Sequence, residues 1–139
     1  MEYLKKHKKV SEFDSENLMG ALIEDVLLSG GYTHLDYVSH FPMRMLIKDL
    51  RLLNEDECKY AMNAGTHIDF LLYNRISKKP VLAIEVDGYD YHKTGTDQSL
   101  RDLKKNHILE LYELPLLRMK TNGSGEKERL LEVLKNLMK

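Results

Sequence analysis

The stretch Thr66-His-Ile-Asp-Phe-Leu-Leu-Tyr73 decides the fold of this chain, together with Val81-Leu-Ala-Ile-Glu-Val-Asp-Gly88, which follows it. Both stretches read as hydrophobic β-strands, and the turn-forming residues of 74–80 separate them. The pair therefore predicts a β-hairpin with strands over 66–73 and 81–87.

Three acids interrupt these strands: Asp69, Glu85 and Asp87. If Tyr73 faces Val81 across the loop, Asp69 stands directly opposite Glu85. Because strand side chains alternate between two faces, Asp87 then shares their face. The hydrophobic residues between the acids point the other way, into a core: Ile68, Phe70, Ile84 and Val86.

The three acids need a compensating partner, because acidic residues are depleted in strands and burying an unpaired charge is costly. Directly opposed like charges destabilise a strand pair by up to roughly 1 kcal/mol. A divalent cation is the simplest partner, and carboxylate oxygens suit Mg²⁺ or Mn²⁺. The alternative is an edge hairpin whose acidic face is simply solvated.

Helical and extended patterns alternate around the hairpin. A helix is predicted from Ser15 to the stop at Gly30, with Leu18, Leu22 and Val26 at four-residue spacing. The further predicted elements are a strand over 35–41, one or two helical pieces over 43–62, a helix over 97–112, a strand over 115–119 and a helix over 126–138. This order predicts one layered α/β domain over 15–139, with a mixed central sheet flanked by helices, after a leading polar segment or linker over 1–14.

The helix over 97–112 is expected to bury an apolar face consisting of Leu100, Leu103, His107 or Ile108, and Leu111.

Composition limits the possible class of protein. The 139 residues are 42% hydrophobic and 31% charged, which is ordinary for one soluble globular domain. No apolar run of about 18 residues predicts a membrane span, and Cys58 is the single cysteine, so a reducing, cytoplasmic compartment is expected. The formal net charge of −1 does not by itself indicate nucleic-acid binding.

The residues after the hairpin add catalytic chemistry to the acids. His92 and Lys93 follow Asp87 closely, and the next helix offers Gln98, Arg101 and Lys105. Metal ligands, a proton-transferring imidazole and phosphate-contacting cations are what a phosphodiester-cleaving site requires. Arg101 can equally be a surface charge, and Gln98 can serve near the helix N-cap.

Four stretches together resemble the PD-(D/E)XK, restriction-endonuclease-like nucleases, in a branch similar to very-short-patch-repair endonucleases and to nuclease-like domains appended to bacterial helicases. They are His67-Ile-Asp-Phe70, Ala83-Ile-Glu-Val-Asp-Gly-Tyr-Asp-Tyr-His92, Gln98-x-x-Arg101-Asp102 and Leu114-Pro-Leu-Leu-Arg118. The resemblance implies a restriction-endonuclease-like αβββαβ core. It also implies that Arg118, on the last core strand, is structural or touches phosphate.

The resemblance also implies site roles. Asp69 and Glu85 would bind Mg²⁺ or Mn²⁺, with the carbonyl of Val86 as a further ligand. The family's first acid comes from the leading helix, where Glu16 and Glu24 are both candidates because they lie about 80° apart around the helix. Glu16 is preferred, since it leaves more of the helix before Gly30.

One position departs from the family pattern. The family's lysine, two residues after the second acid, is here Asp87. Its role must be met elsewhere, and the candidates are His92, Lys93, Arg101 and Lys105.

The leading hypothesis is a metal-dependent DNA endonuclease, in DNA repair or as the nuclease part of a helicase-like protein. Its catalytic residues would be Asp69, Glu85, Asp87, His92 and Glu16, and its nucleic-acid contacts Lys93, Gln98, Arg101 and Lys105. The expected partners are DNA and a helicase or ATPase domain of the same polypeptide, and both a homodimer and a nicking monomer fit the fold. One alternative is an inactive nuclease-fold module that binds nucleic acid or a partner protein; another is a structural interaction domain.

Overall fold

A computed structural model describes residues 14–87, 97–120 and 125–138, with side chains described from 16 to 86, from 100 to 119 and from 125 to 138. Its elements are α1 (Asp14–Ser29), β1 (Leu35–Pro42), two 3₁₀ turns (Met43–Met45 and Leu50–Leu52), α2 (Glu55–Met62), β2 (His67–Asn74), β3 (Pro80–Asp87), α3 (Asp97–Leu111), β4 (Leu116–Lys120) and α4 (Glu126–Leu137).

The four strands form one mixed sheet in the order β1-β2-β3-β4. The pairs β1–β2 and β2–β3 are antiparallel, whereas β3–β4 is parallel and is joined by the crossover that contains α3. The predicted α/β class with a mixed sheet flanked by helices is therefore confirmed. Within the described residues, no helix has the length and apolar character that crossing a bilayer requires.

The hairpin has the predicted register from Phe70 to Leu72. Phe70 faces Ile84 and Leu72 faces Leu82, which agrees with the alignment inferred from the sequence. At the loop end the prediction was wrong, because Tyr73 faces Pro80 rather than Val81. An irregularity between Leu72 and Tyr73 shifts the register by one residue there.

Both faces of the sheet are covered by helices. One core joins α1 and α4 to the sheet and includes Met19, Ile23, Phe70, Ile84, Leu130 and Leu134. The other joins α2 and α3 to the opposite face and includes Ala61, Ile68, Leu71, Ala83, Ile108 and Leu109. Glu85 contacts Lys105 of α3 and accepts a hydrogen bond from the amide of Asp69, so the two acids lie on the α3 side.

Three expectations about buried side chains need correction. Ile68 packs in the core on the α3 side, not with Phe70 and Ile84. Leu18 of α1 is 62% exposed. In α3, Leu100 and Leu103 are exposed, whereas Ile108, one of the two predicted alternatives, is buried together with Leu109.

Helix ends follow local capping chemistry. Asn54 and Glu57 form a reciprocal capping box at the start of α2. After α3, Leu114 N–H donates to Leu109 O (3.0 Å) and Glu113 N–H donates to Glu110 O (3.0 Å), the pair of bonds of a Schellman motif. Glu113 therefore occupies a left-handed position, with φ of 59°, that glycine usually fills.

Candidate functional site

Lys105 of α3 is the centre of the polar cluster on the α3 side of the hairpin. Its side chain is 11% exposed, and its ammonium contacts Oε1 of Glu85, which is itself 5% exposed. The same ammonium donates to the backbone carbonyl of His67 at 2.8 Å. A buried carboxylate of the sheet is therefore compensated by a cation delivered from the helix.

Asp69 and Glu85 bind each other's strand through backbone amides. Oε2 of Glu85 accepts from the N–H of Asp69 at 2.7 Å, and Oδ2 of Asp69 accepts from the N–H of Val86 at 2.8 Å. Both oxygens of Glu85 thus accept hydrogen bonds, as an ionised carboxylate does. The predicted juxtaposition of Asp69 and Glu85 is present, with the carboxylates reaching across between the two strands.

His67 adds an imidazole to this cluster. Its Nε2 lies 3.4 Å from Oδ1 of Asp69. The hydrogen bond to Asp69 raises the pKa of His67 above its ordinary value, although burial opposes this. Burial pushes the pKa of Asp69 upward, but His67, the Val86 amide and the charge of Lys105 outweigh it, so that pKa is lowered.

The buried ion pair is held against a large desolvation cost. Burial raises the pKa of Glu85, and the neighbouring ammonium of Lys105 opposes that rise. Burial also disfavours the charged form of Lys105, but Glu85 outweighs it and the pKa of Lys105 is raised. An ammonium that remains charged at this position keeps Glu85 available as an anion.

The leading helix contributes Glu16 to the same end of the sheet. Oε2 of Glu16 lies 3.0 Å from Nε2 of His40, and the rings of His40 and His67 lie 4.8 Å apart, centroid to centroid. Glu24, the other candidate, accepts a hydrogen bond from the Tyr37 hydroxyl at 2.6 Å. Side chains in contact thus connect Glu16, but not Glu24, with Asp69 through two histidines.

His40 has a left-handed backbone, with φ of 51°. Such a conformation is uncommon outside glycine and often accompanies a functional constraint. In the part of the chain that the structure describes, the three non-glycine residues with positive φ are His40, Lys78 and Glu113.

A family model described as "Protein of unknown function (DUF2726)" matches residues 32–137. The chain belongs to the DUF2726 family. No curated protein and no solved structure matches it. The matched range includes both strands of the hairpin and Lys105, whereas Glu16 precedes it.

The DUF2726 chain's other predicted site residues have different surroundings. His92 and Lys93 lie outside the described residues, as do the side chains of Asp87 and Gln98. Arg101 is exposed on α3.

Two predicted cations of this DUF2726 domain are engaged within the protein. Lys105 is buried rather than presented as a surface cation. Arg118 donates from Nη2 to Oδ1 of Asn106 at 2.8 Å and lies 3.6 Å from Oδ1 of Asp102, so it fastens β4 to α3.

Two histidines of the DUF2726 site were missed as site residues at the sequence level. The His67-x-Asp69 spacing could have revealed one of them, because residues two apart on a strand share a face. His40 gave no such signal, since it reaches the cluster through the pairing of β1 with β2.

Two carboxylates are the donor groups that this DUF2726 site offers to the predicted metal. Asp69 and Glu85 provide hard oxygen atoms, and Mg²⁺ in proteins often binds one or two carboxylates while keeping several waters. Among the described side chains, no group of three or more histidines, cysteines or acids is arranged to hold an ion. The pair therefore fits a sparsely ligated Mg²⁺ or Mn²⁺ and not a fully protein-ligated one.

Proposed function

We propose that this domain is a metal-dependent nuclease that hydrolyses DNA phosphodiester bonds. The observation that carries the proposal is the buried ammonium of Lys105 beside the carboxylates of Glu85 and Asp69. Two acids and a lysine at one end of a strand pair are the groups that a PD-(D/E)XK nuclease requires. The sequence lacks the lysine in its usual strand position, and Lys105 supplies it from α3.

Each residue has a distinct task under this proposal. Asp69 and Glu85 would hold Mg²⁺ or Mn²⁺, with the Val86 carbonyl as a further ligand, and the ion would polarise a phosphoryl oxygen and lower the pKa of a bound water. Lys105 keeps Glu85 ionised and places a positive charge where negative charge develops during hydrolysis. His67, whose Nε2 lies beside Asp69 and whose Nδ1 lies 3.3 Å from the Gly65 carbonyl, would transfer a proton at the edge of the cluster.

The proposed setting is cytoplasmic. DNA is the proposed partner, in DNA repair or as substrate of a helicase-like protein whose ATPase domain belongs to the same polypeptide. Double-strand cutting would require two copies of the site, and so a homodimer.

A second candidate is a module of the same fold that binds nucleic acid or a partner protein without cleaving DNA. One observation favours it: both oxygens of Glu85 already accept hydrogen bonds within the protein, one of them from Lys105. In that case Lys105 replaces the metal ion rather than assisting it.

The decisive experiment combines metal binding with DNA cleavage. We expect wild-type protein to nick supercoiled plasmid, or to cut single-stranded, duplex or flapped oligonucleotides, with Mg²⁺ or Mn²⁺ present. Asp69→Asn and Glu85→Gln should abolish cleavage, whereas the control Asp36→Asn, on β1 and paired with Arg75, should retain it.

Titration of the wild type with Mn²⁺ by calorimetry separates the two candidates. Heat of binding that disappears in Asp69→Asn supports the nuclease. If Mn²⁺ gives no heat of binding and the wild type and all variants are equally inert on every DNA, the nuclease proposal is rejected. DNA affinity that falls with salt would then support the binding module.

A further inference from the structure

A concave site lies at the opposite end of the hairpin from the carboxylates. It is a cavity of about 850 Å³ between the β2–β3 loop and the C-terminal end of α3. Its walls are mainly apolar and include Val38, Phe41, Met45, Leu71, Leu109 and Leu114. We call this cavity the lysine-rimmed groove, after the residues at its edge.

The groove presents apolar side chains to solvent. Met45 is 57% exposed and Val38 is 37% exposed, although both lie beside buried core residues. Methionine is flexible and polarisable, and it is common at surfaces that adapt to a partner's side chain. The cavity is thus an open extension of the core on the α3 side.

Three lysines line the groove: Lys48, Lys78 and Lys79. All three are exposed, and within the described residues none of them pairs with an acid. Glu113 is the acid among the described lining residues. The rim therefore has an excess of positive charge in a chain whose formal net charge is −1.

Backbone strain is concentrated at the same place. Lys78, with φ of 62°, and Glu113, with φ of 59°, both line the groove. Left-handed backbone at a non-glycine residue disfavours the fold by roughly 1 kcal/mol or more. Hydrogen bonds from Lys78 N–H to Asn74 O (2.8 Å) and from Glu113 N–H to Glu110 O (3.0 Å) hold these two residues, and so they fix the shape of this part of the groove wall.

We propose that the lysine-rimmed groove binds an acidic peptide segment of a partner protein, with a bulky apolar side chain seated in the groove. The lysine excess selects acids, and the apolar walls select an aromatic or aliphatic anchor. A small polar ligand would find few fixed partners, because the hydroxyl of Tyr112 already donates to the carbonyl of Asp49. The chain's own N-terminal sequence is lysine-rich, so its positive charge opposes binding to the lysine-rimmed groove.

This proposal does not depend on nuclease activity, because the groove and the carboxylate cluster share no residue. The test begins with a phage-displayed library of random decapeptides selected on the full chain. Peptides enriched in acids and in phenylalanine, tyrosine or leucine are expected. The most enriched peptide is then measured by fluorescence polarisation against wild type and variants.

Two variants of equal net charge isolate the rim. Lys48→Glu/Lys79→Glu should weaken peptide binding about tenfold, whereas Lys59→Glu/Lys135→Glu, on α2 and α4, should leave it unchanged. Met45→Asp, at an exposed position, should weaken it comparably. Circular dichroism checks that each variant is folded.

Three outcomes overturn the proposal. The first is a library without acidic and apolar enrichment, and the second is peptide binding that is indifferent to the rim variants. The third is displacement of the peptide by a duplex oligonucleotide or by dodecanoate with the same lysine dependence and a higher affinity, which would assign the groove to nucleic acid or to an anionic amphiphile.

Discussion

Lys105 and Glu85 form a buried ion pair that bridges α3 and β3. The pair has two consequences for the sheet: it neutralises a carboxylate that alternation turns toward α3, and it fixes Lys105 at 2.8 Å from the His67 carbonyl. The helix thus orients the strand residues around Asp69 by a polar contact within an otherwise apolar interface.

Removing the ammonium should destabilise the protein strongly. Lys105→Met leaves Glu85 buried and uncompensated, and such a loss costs about 3 kcal/mol or more of the free energy of unfolding. Urea denaturation followed by circular dichroism measures the change. Lys104→Met is the matched control, because Lys104 pairs at 2.6 Å with Asp56, whose side chain is 73% exposed, and should cost less than about 1 kcal/mol.

The double variant Lys105→Met/Glu85→Gln tests whether the pair acts as a unit. It should be more stable than the sum of the single changes implies, by about 2 kcal/mol. Additive effects would contradict a direct ion pair.

His67 should titrate above the ordinary range of histidine. Because Asp69 raises its pKa, the protonated ring favours the folded state. This contribution is full below about pH 6.5 and is lost as the pH rises through the folded-state pKa. NMR titration of the ring measures the pKa, which should fall in Asp69→Asn and stay put in Glu24→Gln.

Urea denaturation of wild type and His67→Gln across the same range provides an independent readout. The stability advantage of the wild type should shrink as the pH rises above about 6.5 and through the raised pKa of His67. If the stability advantage of the wild type over His67→Gln grows with pH, the folded state favours the neutral imidazole, which contradicts the prediction.

Glu16 and Glu24 should differ in their effect on DNA cleavage if the domain is a nuclease. Glu16 contacts His40, whose ring lies 4.8 Å from the ring of His67, whereas Glu24 binds Tyr37. Glu16→Gln should lower the nicking rate about tenfold, as loss of a supporting partner around a metal site commonly does, and Glu24→Gln should not. Equal nicking rates for Glu16→Gln and Glu24→Gln would show that α1 contributes no residue to the cleavage site.

Glycine at position 113 should stabilise the protein. Glu113→Gly relieves a left-handed backbone and should raise the free energy of unfolding by about 0.5–1 kcal/mol. Glu110→Gly, three residues earlier inside α3, should lower it by about 1 kcal/mol. Thermal unfolding of both variants decides between relief of strain and a general effect of glycine.

The hairpin was predictable because its pattern is local. Strand alternation and the turn residues of 74–80 set the register that brings Asp69 near Glu85. The irregularity at Tyr73 and the orientation of Ile68 were not predicted, since they depend on how the loop closes and on the helices that cover the sheet. The order of helices and strands followed from periodicity in the same way.

The partner of the acids was not predictable from local pattern. Periodicity favoured Leu100 and Leu103 as part of the buried face of α3. The helix instead turns Lys105 inward, because the carboxylates of the sheet attract and stabilise a cation there. That preference arises from Glu85, which lies twenty positions away in the sequence. The approach of His40 to His67 likewise depends on the pairing of β1 with β2, which no local window contains.

The chain order of the sheet has a consequence for folding kinetics. Strands β1, β2 and β3 are sequential antiparallel neighbours, whereas the parallel β3–β4 pair requires the α3 crossover. Contacts between near neighbours close first, so the two carboxylates meet before Lys105 arrives. Losing Lys105 should therefore accelerate unfolding and leave the refolding rate nearly unchanged, which stopped-flow measurements would resolve.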